Sequence, residues 1–250
     1  MPHSLEGRLA LIVGGAGGIG TEISRLFAGA GARVVITHMP GLTETAAAVV
    51  ASLPGSGHAA LPADVAVTPS LLALRQAVQE RYGQALHVLV NAAGFTKPVP
   101  HADLDALNDE LIDRMFAVNW RGQFATIRTF APMLKASGDG LVVSISSIAA
   151  NTGVGSSIAY CAAKAGIEVM TKSLGRALAP EVRVMSVAPG VVDTAFVPGR
   201  GSDFNTKTAA STPLRRIGSA EDIAEAVLAC ATTLRFSTGS TVVVDGGRSL

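Results

Sequence analysis

Residues 14–20 read Gly14-Gly15-Ala16-Gly17-Gly18-Ile19-Gly20, and this glycine-rich stretch decides the fold. It directly follows an apolar run at residues 9–13 and directly precedes a stretch with helical periodicity. Glycine permits a tight turn and lets backbone N–H groups approach a pyrophosphate, which then rests on the positive end of the following helix. A glycine cluster alone indicates only a flexible turn, whereas its position between a strand and a helix favours dinucleotide binding. The candidate cofactor-binding residues of this turn are Gly14, Gly17, Gly18, Ile19 and Gly20.

Short apolar runs alternate with stretches of helical periodicity along the whole chain. Such runs are typical of strands that are buried on both faces. Alternating strands and helices predict a parallel sheet covered on both faces, because each crossover must carry the chain back across the sheet. No linker or repeat interrupts the pattern, so we predict a single α/β domain over residues 1–250. The predicted strands are residues 9–13, 34–36, 86–90, 141–145, 182–187 and 241–244, and the predicted helices are residues 19–29, 71–82, 111–134, 158–178 and 220–231.

One interval departs from this alternation. Residues 197–214 are rich in Gly, Ser, Thr and Pro and show little periodicity. We interpret them as a flexible substrate flap near the site. An ordinary surface loop is the alternative interpretation.

Composition argues against several classes of partner. The 250 residues are 48% hydrophobic and only 16% charged, with a net charge of +1. This balance predicts neither nucleic acid nor a membrane as partner and favours a small-molecule ligand. The start does not resemble a signal peptide, no apolar run reaches membrane-spanning length, and Cys161 and Cys230 form no CxxC pair, so we expect a cytoplasmic protein. The five histidines have no second ligand at helical spacing, so we predict no metal site.

The end of the second predicted strand bears on the choice of cofactor. An NAD enzyme usually offers a carboxylate there to the ribose 2′-hydroxyl, but no acidic residue occurs between Glu22 and Glu44. Without that carboxylate nothing repels a 2′-phosphate, and His38 is the one candidate cation nearby. We therefore expect NADP(H), with NAD(H) as the alternative; a solvated loop histidine is the other interpretation of His38.

The stretch Tyr160-Cys161-Ala162-Ala163-Lys164 falls within a predicted helix. A spacing of four residues brings the phenol and the ammonium onto the same face. An adjacent ammonium favours the phenolate, so Tyr160 could donate a proton to a carbonyl oxygen during reduction or accept one during oxidation. An exposed amphipathic helix could show the same pair by chance.

Ser146 and Ser147 follow a predicted central strand, at the edge where an open parallel sheet binds ligands. A hydroxyl at this place can hydrogen-bond a substrate oxygen and stabilise the charge that develops on it. Serines at strand ends also serve simply as turn formers.

The order and spacing of several motifs resemble those of the short-chain dehydrogenase/reductases. Besides the glycine turn and Tyr-x-x-x-Lys, these motifs are Asn-Ala-Ala-Gly at residues 91–94, Ser147 and Pro-Gly at residues 189–190, and the resemblance spans residues 9–247. It implies a single Rossmann-like domain, with a doubly wound parallel sheet of about seven strands and helices on both faces. It also implies a homotetramer.

The resemblance further implies roles for individual residues. Ser147 would orient the substrate, Tyr160 would be the acid and base, and Lys164 would favour the phenolate and hold the nicotinamide ribose. Asn119 would kink a helix and anchor a water molecule in the proton relay. The remaining implied cofactor contacts are Asp64, near the adenine, with Val65; Asn91, Ala92, Ala93 and Gly94 beside the cofactor; and Pro189, Gly190, Val192 and Thr194 in the nicotinamide-side loop.

Three positions depart from the family's pattern. Val13 stands where threonine is common, Ala92 replaces a frequent second asparagine, and Met185 replaces a frequent asparagine ahead of Pro-Gly. We expect the first two to weaken hydrogen bonds that brace the turn and the third to alter loop support.

Together these features predict hydride transfer between a nicotinamide and a ketone or secondary alcohol. The chain resembles the 3-oxoacyl-acyl-carrier-protein reductase branch of the family, and this resemblance implies reduction of a 3-oxoacyl thioester or a similar ketone as the first hypothesis. An alcohol, sugar or steroid dehydrogenase of the same family is one alternative, and a non-catalytic dinucleotide-binding sensor is another. Enoyl reductases of related fold are typified by a Tyr-x6-Lys pattern. The interval in this sequence is Tyr-x3-Lys, so an enoyl reductase is disfavoured. A serine hydrolase is disfavoured because the sequence has no Gly-x-Ser-x-Gly elbow.

Overall fold

The computed structural model describes residues 4–199, 201 and 203–250. Within these residues strands and helices alternate along the chain. In chain order the elements are β1 (Leu9–Val13), α1 (Gly18–Gly29), β2 (Arg33–His38), α2 (Thr43–Ser52), β3 (Ala59–Pro62), α3 (Thr68–Tyr82), β4 (Val88–Asn91), α4 (Asp109–Phe116), a π-helical segment (Ala117–Gly122), α5 (Gln123–Ala136), β5 (Gly140–Ile145), α6 (Ala149–Thr152), α7 (Ile158–Ala177), β6 (Val182–Pro189), α8 (Phe204–Ser211), α9 (Ala220–Thr232) and β7 (Ser240–Val244).

The strands form one parallel sheet of seven strands in the order β3-β2-β1-β4-β5-β6-β7. The central strand β1 pairs with β2 on one side and with β4 on the other, and Ile12 lies opposite both Ile36 and Val90. Strand order therefore reverses between β1 and β4. In an open parallel sheet this switch point opens a crevice at the carboxyl ends of the strands.

Both faces of the sheet are covered by apolar packing. Ile12 of β1 packs with Phe27 of α1 and Val227 of α9 on one face. Its neighbour Leu11 packs on the other face with Phe130 of α5 and with α3 and α7. Alternate residues of one strand thus enter opposite cores, which explains why the strand sequence is continuously apolar.

The predicted fold class and the six predicted strands are confirmed. The seventh strand, β3, has only four residues, and its short sequence did not stand out as an apolar run. The helix predicted over residues 111–134 begins earlier, at Asp109, where the Asn108 side chain accepts a hydrogen bond from the N–H of Leu111. A π-helical segment then separates α4 from α5.

The interval predicted as a flap, residues 197–214, contains the helix α8. Arg200 and Ser202 of this interval lie outside the described residues. The helix α2 also escaped prediction from sequence. None of the helices described is long and apolar enough to pass through a membrane.

Candidate active site

The turn between β1 and α1 can be built only with glycine at its key positions. Gly14 has φ of +81°, a left-handed conformation that favours glycine. A Cβ atom on Gly20 would lie 2.2 Å from the carbonyl oxygen of Gly14. The first turn of α1 is thus packed directly against the loop that precedes it.

The N-terminus of α1 has the features of an anion site. Its N-cap is Gly17, no side chain of the described residues caps it, and its first turn holds no acidic residue. The first N–H groups of a helix lack partners within the helix, so they can bind a phosphate. These donors and the close packing of glycine backbone fit the pyrophosphate of a dinucleotide.

Thr37 of β2 braces the glycine turn. Its Oγ1 accepts a hydrogen bond of 3.0 Å from the N–H of Gly14. Val13 was expected to weaken the support of this turn, and Thr37 supplies a hydrogen bond from a neighbouring strand instead. Nothing in the local pattern around the glycines indicated this contact, because it joins residues 23 positions apart.

His38 ends β2 and is only 5% exposed, so the interpretation of a solvated loop histidine is wrong. Its Nδ1 lies 3.0 Å from the carbonyl oxygen of Met39. Because a carbonyl oxygen only accepts hydrogen bonds, Nδ1 carries the proton in this arrangement. Asp64 follows β3, and its Oδ1 accepts a hydrogen bond of 2.8 Å from the N–H of Ala66. The roles of both residues toward a cofactor stay predictions.

Asn119 lies in the π-helical segment and holds the chain that follows β4. Its Oδ1 accepts a hydrogen bond of 3.0 Å from the N–H of Phe95, and its Nδ2 donates to the carbonyl oxygens of Phe95 at 2.8 Å and Met115 at 3.0 Å. The side chain is fully buried. The geometry gives Asn119 a clear positioning function, and its predicted part in a proton relay stays a prediction. At the end of β4, Oδ1 of Asn91 is buried and accepts no hydrogen bond from any of the described residues.

Tyr160 and Lys164 lie one turn apart on α7, whose first turn is capped by the hydroxyl of Ser157. The Nζ atom of Lys164 lies 5.6 Å from the centre of the Tyr160 ring and donates a hydrogen bond of 2.7 Å to the carbonyl oxygen of Ile145. Burial of Lys164 lowers its pKa from 10.5 to about 7. The two side chains therefore lie on the same face of α7, and their catalytic roles stay predictions.

Ser147 follows β5 and faces the same region. Its Oγ accepts a hydrogen bond of 3.2 Å from the N–H of Ala149, an arrangement that leaves its own proton to be donated elsewhere. The preceding residue, Ser146, has a different function. Its hydroxyl lies 3.1 Å from Oε1 of Glu168 and 3.2 Å from the carbonyl oxygen of Lys164, so it connects the turn after β5 to α7.

Glu168 was missed by sequence reasoning. It is 9% exposed, and its Oε2 accepts a hydrogen bond of 3.1 Å from Nδ2 of Asn151 in α6. With Ser146 on its other oxygen, this carboxylate fixes the segment that carries Ser147 against α7. The spacing of Glu168 one turn after Lys164 was the only signal in the sequence.

A cavity of about 640 Å³ opens at the carboxyl ends of the strands. It brings together three of the four proposed catalytic residues with residues of the glycine turn and the nicotinamide-side loop. The predicted site residues that line it are Ile19, Ala92, Gly94, Ser147, Tyr160, Lys164, Pro189, Gly190, Val192 and Thr194. The other predicted site residues are not part of its lining: Gly14, Gly17, Gly18, Gly20, His38, Asp64, Val65, Asn91, Ala93 and Asn119.

The chain is similar to known reductases and dehydrogenases along nearly its whole length. A family model described as enoyl-(acyl carrier protein) reductase matches residues 14–249. Ketoacyl reductase 2 of the granaticin polyketide synthase from Streptomyces violaceoruber is 37% identical over 98% of this chain and 97% of that protein. Cis-4-hydroxycyclohexanecarboxylate dehydrogenase from Sinomonas cyclohexanicum is 34% identical over 99% of this chain and 98% of that protein.

A solved structure is also similar to this chain along nearly its whole length. The crystal structure of a short-chain dehydrogenase/reductase from Burkholderia xenovorans superposes with a TM-score of 0.90 at 31% identity and covers 98% of both chains. The chain belongs to the short-chain dehydrogenase/reductase family. It is an oxidoreductase that uses a nicotinamide cofactor, NAD(H) or NADP(H), and acts on a small-molecule ketone or alcohol.

In this short-chain dehydrogenase/reductase, one of the three residues that depart from the family's pattern, Met185, lies in the apolar core. Met185 is 1% exposed and packs in the apolar core on one face of the sheet. A polar asparagine buried at this place would need hydrogen-bond partners, whereas methionine needs none. Within the described residues no group of three or more His, Cys, Asp or Glu side chains could hold a metal ion.

Proposed function

We propose that this short-chain dehydrogenase/reductase uses NADPH to reduce a 3-oxoacyl thioester or a similar ketone to the secondary alcohol. The observation that carries the proposal is the single cavity that Ser147, Tyr160 and Lys164 line together with Ile19 of the glycine turn. A dinucleotide bound at the N-terminus of α1 would therefore reach toward the phenol. The same cavity has room for a small ketone beside it.

The proton chemistry follows from the positions of three side chains. When bound, the nicotinamide supplies the hydride that adds to the carbonyl carbon. Tyr160 donates its phenolic proton to the carbonyl oxygen, and the hydroxyl of Ser147 hydrogen-bonds the same oxygen as negative charge develops on it. The ammonium of Lys164 stabilises the phenolate that remains, because it lies 5.6 Å from the ring centre. Hydride and proton together complete the conversion of the ketone to the alcohol.

Positioning of these groups depends on buried polar residues. Asn119 holds the backbone of Phe95 beside the cavity, and Glu168 holds the turn that carries Ser147. Neither residue needs to touch the substrate to support the reaction.

For the cofactor we propose NADP(H) in preference to NAD(H). The end of β2 offers His38 and no carboxylate to the adenosine ribose. A carboxylate at this place would repel a 2′-phosphate. Dissociation constants for NADPH and NADH measured on the same preparation test the proposal, and clear preference for NADH would overturn it.

The names of two relatives support a ketone or alcohol substrate. One relative is a ketoacyl reductase and the other is a hydroxy-acid dehydrogenase. An alcohol, sugar or steroid dehydrogenase would use the same residues in the oxidative direction. The description of the matching family model favours a second candidate, reduction of an enoyl thioester. The Tyr-x-x-x-Lys interval favours reduction of a ketone over reduction of an enoyl thioester.

A panel assay with purified protein separates these functions. NADPH oxidation would be followed with a 3-oxoacyl thioester, simple ketones and an α,β-unsaturated thioester. We expect turnover with ketones and none with the unsaturated thioester. Cofactor binding without turnover on any member would instead indicate a dinucleotide-binding sensor.

A homotetramer and a cytoplasmic location remain part of the proposal. Support for self-association comes from exposed apolar side chains on the helices next to the site, such as Val169 of α7, which is 62% exposed. Sedimentation equilibrium of the purified chain tests the tetramer, and a monomer at all concentrations would contradict it.

A further inference from the structure

Arg248 belongs to a C-terminal segment that turns back toward the active-site cavity. Gly246 and Gly247 adopt left-handed φ values of +65° and +83°, which reverse the chain after β7. The carboxylate of Asp245 accepts hydrogen bonds of 2.8 Å from the N–H groups of Gly247 and Ser249. The turn that carries Arg248 is therefore held by its own hydrogen bonds.

The guanidinium of Arg248 is anchored at the C-terminal end of α8. Its Nη1 donates to Oγ of Ser211 at 3.0 Å and lies 3.4 Å from Oγ1 of Thr212. A cation is favoured at this end of a helix. In the described part of the chain, no carboxylate lies within 4.0 Å of this guanidinium, and no hydrogen bond from its Nη2 or Nε is found. One edge of the planar group is thus fixed while the other donors keep capacity for a ligand.

Charge inside the cavity is one-sided. Among the described residues that line it, the basic ones are Arg248 and Lys164, and none is Asp or Glu. Lys164 is directed at the carbonyl oxygen of Ile145 and lies beside the Tyr160 ring. Of the two basic residues that the described lining contains, Arg248 is therefore the one that a second, non-reacting part of a substrate could meet.

We propose that Arg248 binds a carboxylate carried by the substrate, so that among the ketones of the proposed function oxo acids, with the corresponding hydroxy acids, are preferred over uncharged thioesters. The inference rests on the proposed function, because the ketone of the same molecule must reach Tyr160. The planar fork of a guanidinium matches a carboxylate through two parallel hydrogen bonds. The described lining holds one arginine, and its other cation, Lys164, lies beside Tyr160. One guanidinium balances the single negative charge of a carboxylate better than the two charges of a phosphate monoester.

The test compares ketones that differ in charge and by one methyl group. The probes are 3-acetylbenzoate and 4-acetylbenzoate, each with its methyl ester, so that two separations between ketone and acid are sampled. We expect kcat/KM of the wild-type protein to be about 10- to 100-fold higher for at least one acid than for its ester, because hydrogen bonds to charged groups have this effect. Arg248→Met keeps the apolar stem and should remove this preference, while Arg248→Lys should keep part of it.

Controls distinguish recognition of the substrate carboxylate from a purely structural role, in which Arg248 only holds the end of α8 in place. Lys207→Met removes an exposed cation from the same helix, whose partner is Asp203, and should leave the preference unchanged. A tether alone predicts that Arg248→Met changes kcat/KM for acid and ester by the same factor, and that result would overturn the proposal. A loss of NADPH affinity in Arg248→Met larger than its loss for the acid would also overturn it.

A binding measurement keeps this inference distinct from the proposed function. Isothermal titration of the NADP⁺-saturated protein with each acetylbenzoate reports recognition even if no ketone is turned over. Arg248→Met should weaken binding of the preferred acid by about tenfold or more and leave ester binding within twofold. Equal affinities of the wild-type protein for acid and ester would refute the role of Arg248, whatever the assay of turnover shows.

Discussion

Replacing Lys164 by methionine should change the stability of the protein in a strongly pH-dependent way. The side chain is 3% exposed, and burial lowers its pKa from 10.5 to about 7. Unfolded lysine keeps a pKa near 10.4. Between these values the unfolded chain binds a proton that the folded chain does not, so acidification through this window favours unfolding. The buried ammonium therefore destabilises the fold fully below pH 7, and the penalty disappears as pH rises toward 10.5.

The magnitude follows from the separation of the two pKa values. Each pKa unit corresponds to about 1.4 kcal/mol, so the free energy of unfolding of the wild-type protein should rise by about 4 kcal/mol relative to Lys164→Met between pH 7 and pH 10. Methionine has nearly the same length and no charge, so it serves as the reference. Groups that do not contact Lys164 titrate alike in both proteins and cancel in the difference. The same comparison on the Tyr160→Phe background removes the one phenol whose ionisation depends on the ammonium.

Urea unfolding of both proteins at a series of pH values provides the measurement. It should be made without cofactor and at one protein concentration, since ligands and association both shift apparent stability. We expect a constant difference below pH 7 and a steady change above it. A difference constant to within about 0.5 kcal/mol from pH 6 to pH 10 would refute the account, because it would mean that the folded lysine titrates like an unfolded one.

Three further substitutions test the framework of the site. Gly20→Ala places a Cβ atom 2.2 Å from the carbonyl oxygen of Gly14, so it should cost about 1 to 3 kcal/mol in urea unfolding and weaken NADPH binding; unchanged affinity would contradict the packing of this turn. Thr37→Val removes the acceptor of the Gly14 N–H and should lower stability by about 1 kcal/mol, with a matching loss of cofactor affinity by fluorescence titration. Asn119→Leu leaves the N–H and carbonyl of Phe95 without partners and should cost about 2 kcal/mol or more while kcat falls; retention of full kcat would refute the positioning function.

Much of the site could be predicted because its signals are local. The glycine turn lies within seven residues, and the Tyr160–Lys164 pair depends only on the periodicity of one helix. The apolar strands were recognisable because burial on both faces makes their sequences continuously hydrophobic. These features were sufficient to predict the sheet, the parallel direction of its strands and the edge at which the cavity opens.

What escaped prediction depends on contacts between distant parts of the chain. Glu168 meets Ser146 across 22 positions, and Arg248 meets Ser211 across 37. Neither residue stands in a recognisable motif, so only the folded arrangement reveals its partner. The strand β3 was missed for another reason, since four residues are too few to show a period.

The central claim is that Tyr160 exchanges a proton with the substrate beside a bound nicotinamide. Its most direct test is to compare Tyr160→Phe with the wild-type protein on the best ketone of the panel, with NADPH affinity measured in parallel. The loss of the hydroxyl should lower kcat by about 10²- to 10⁴-fold while the dissociation constant for NADPH stays within about twofold. A Tyr160→Phe protein that reduces the ketone at the wild-type rate would contradict the account.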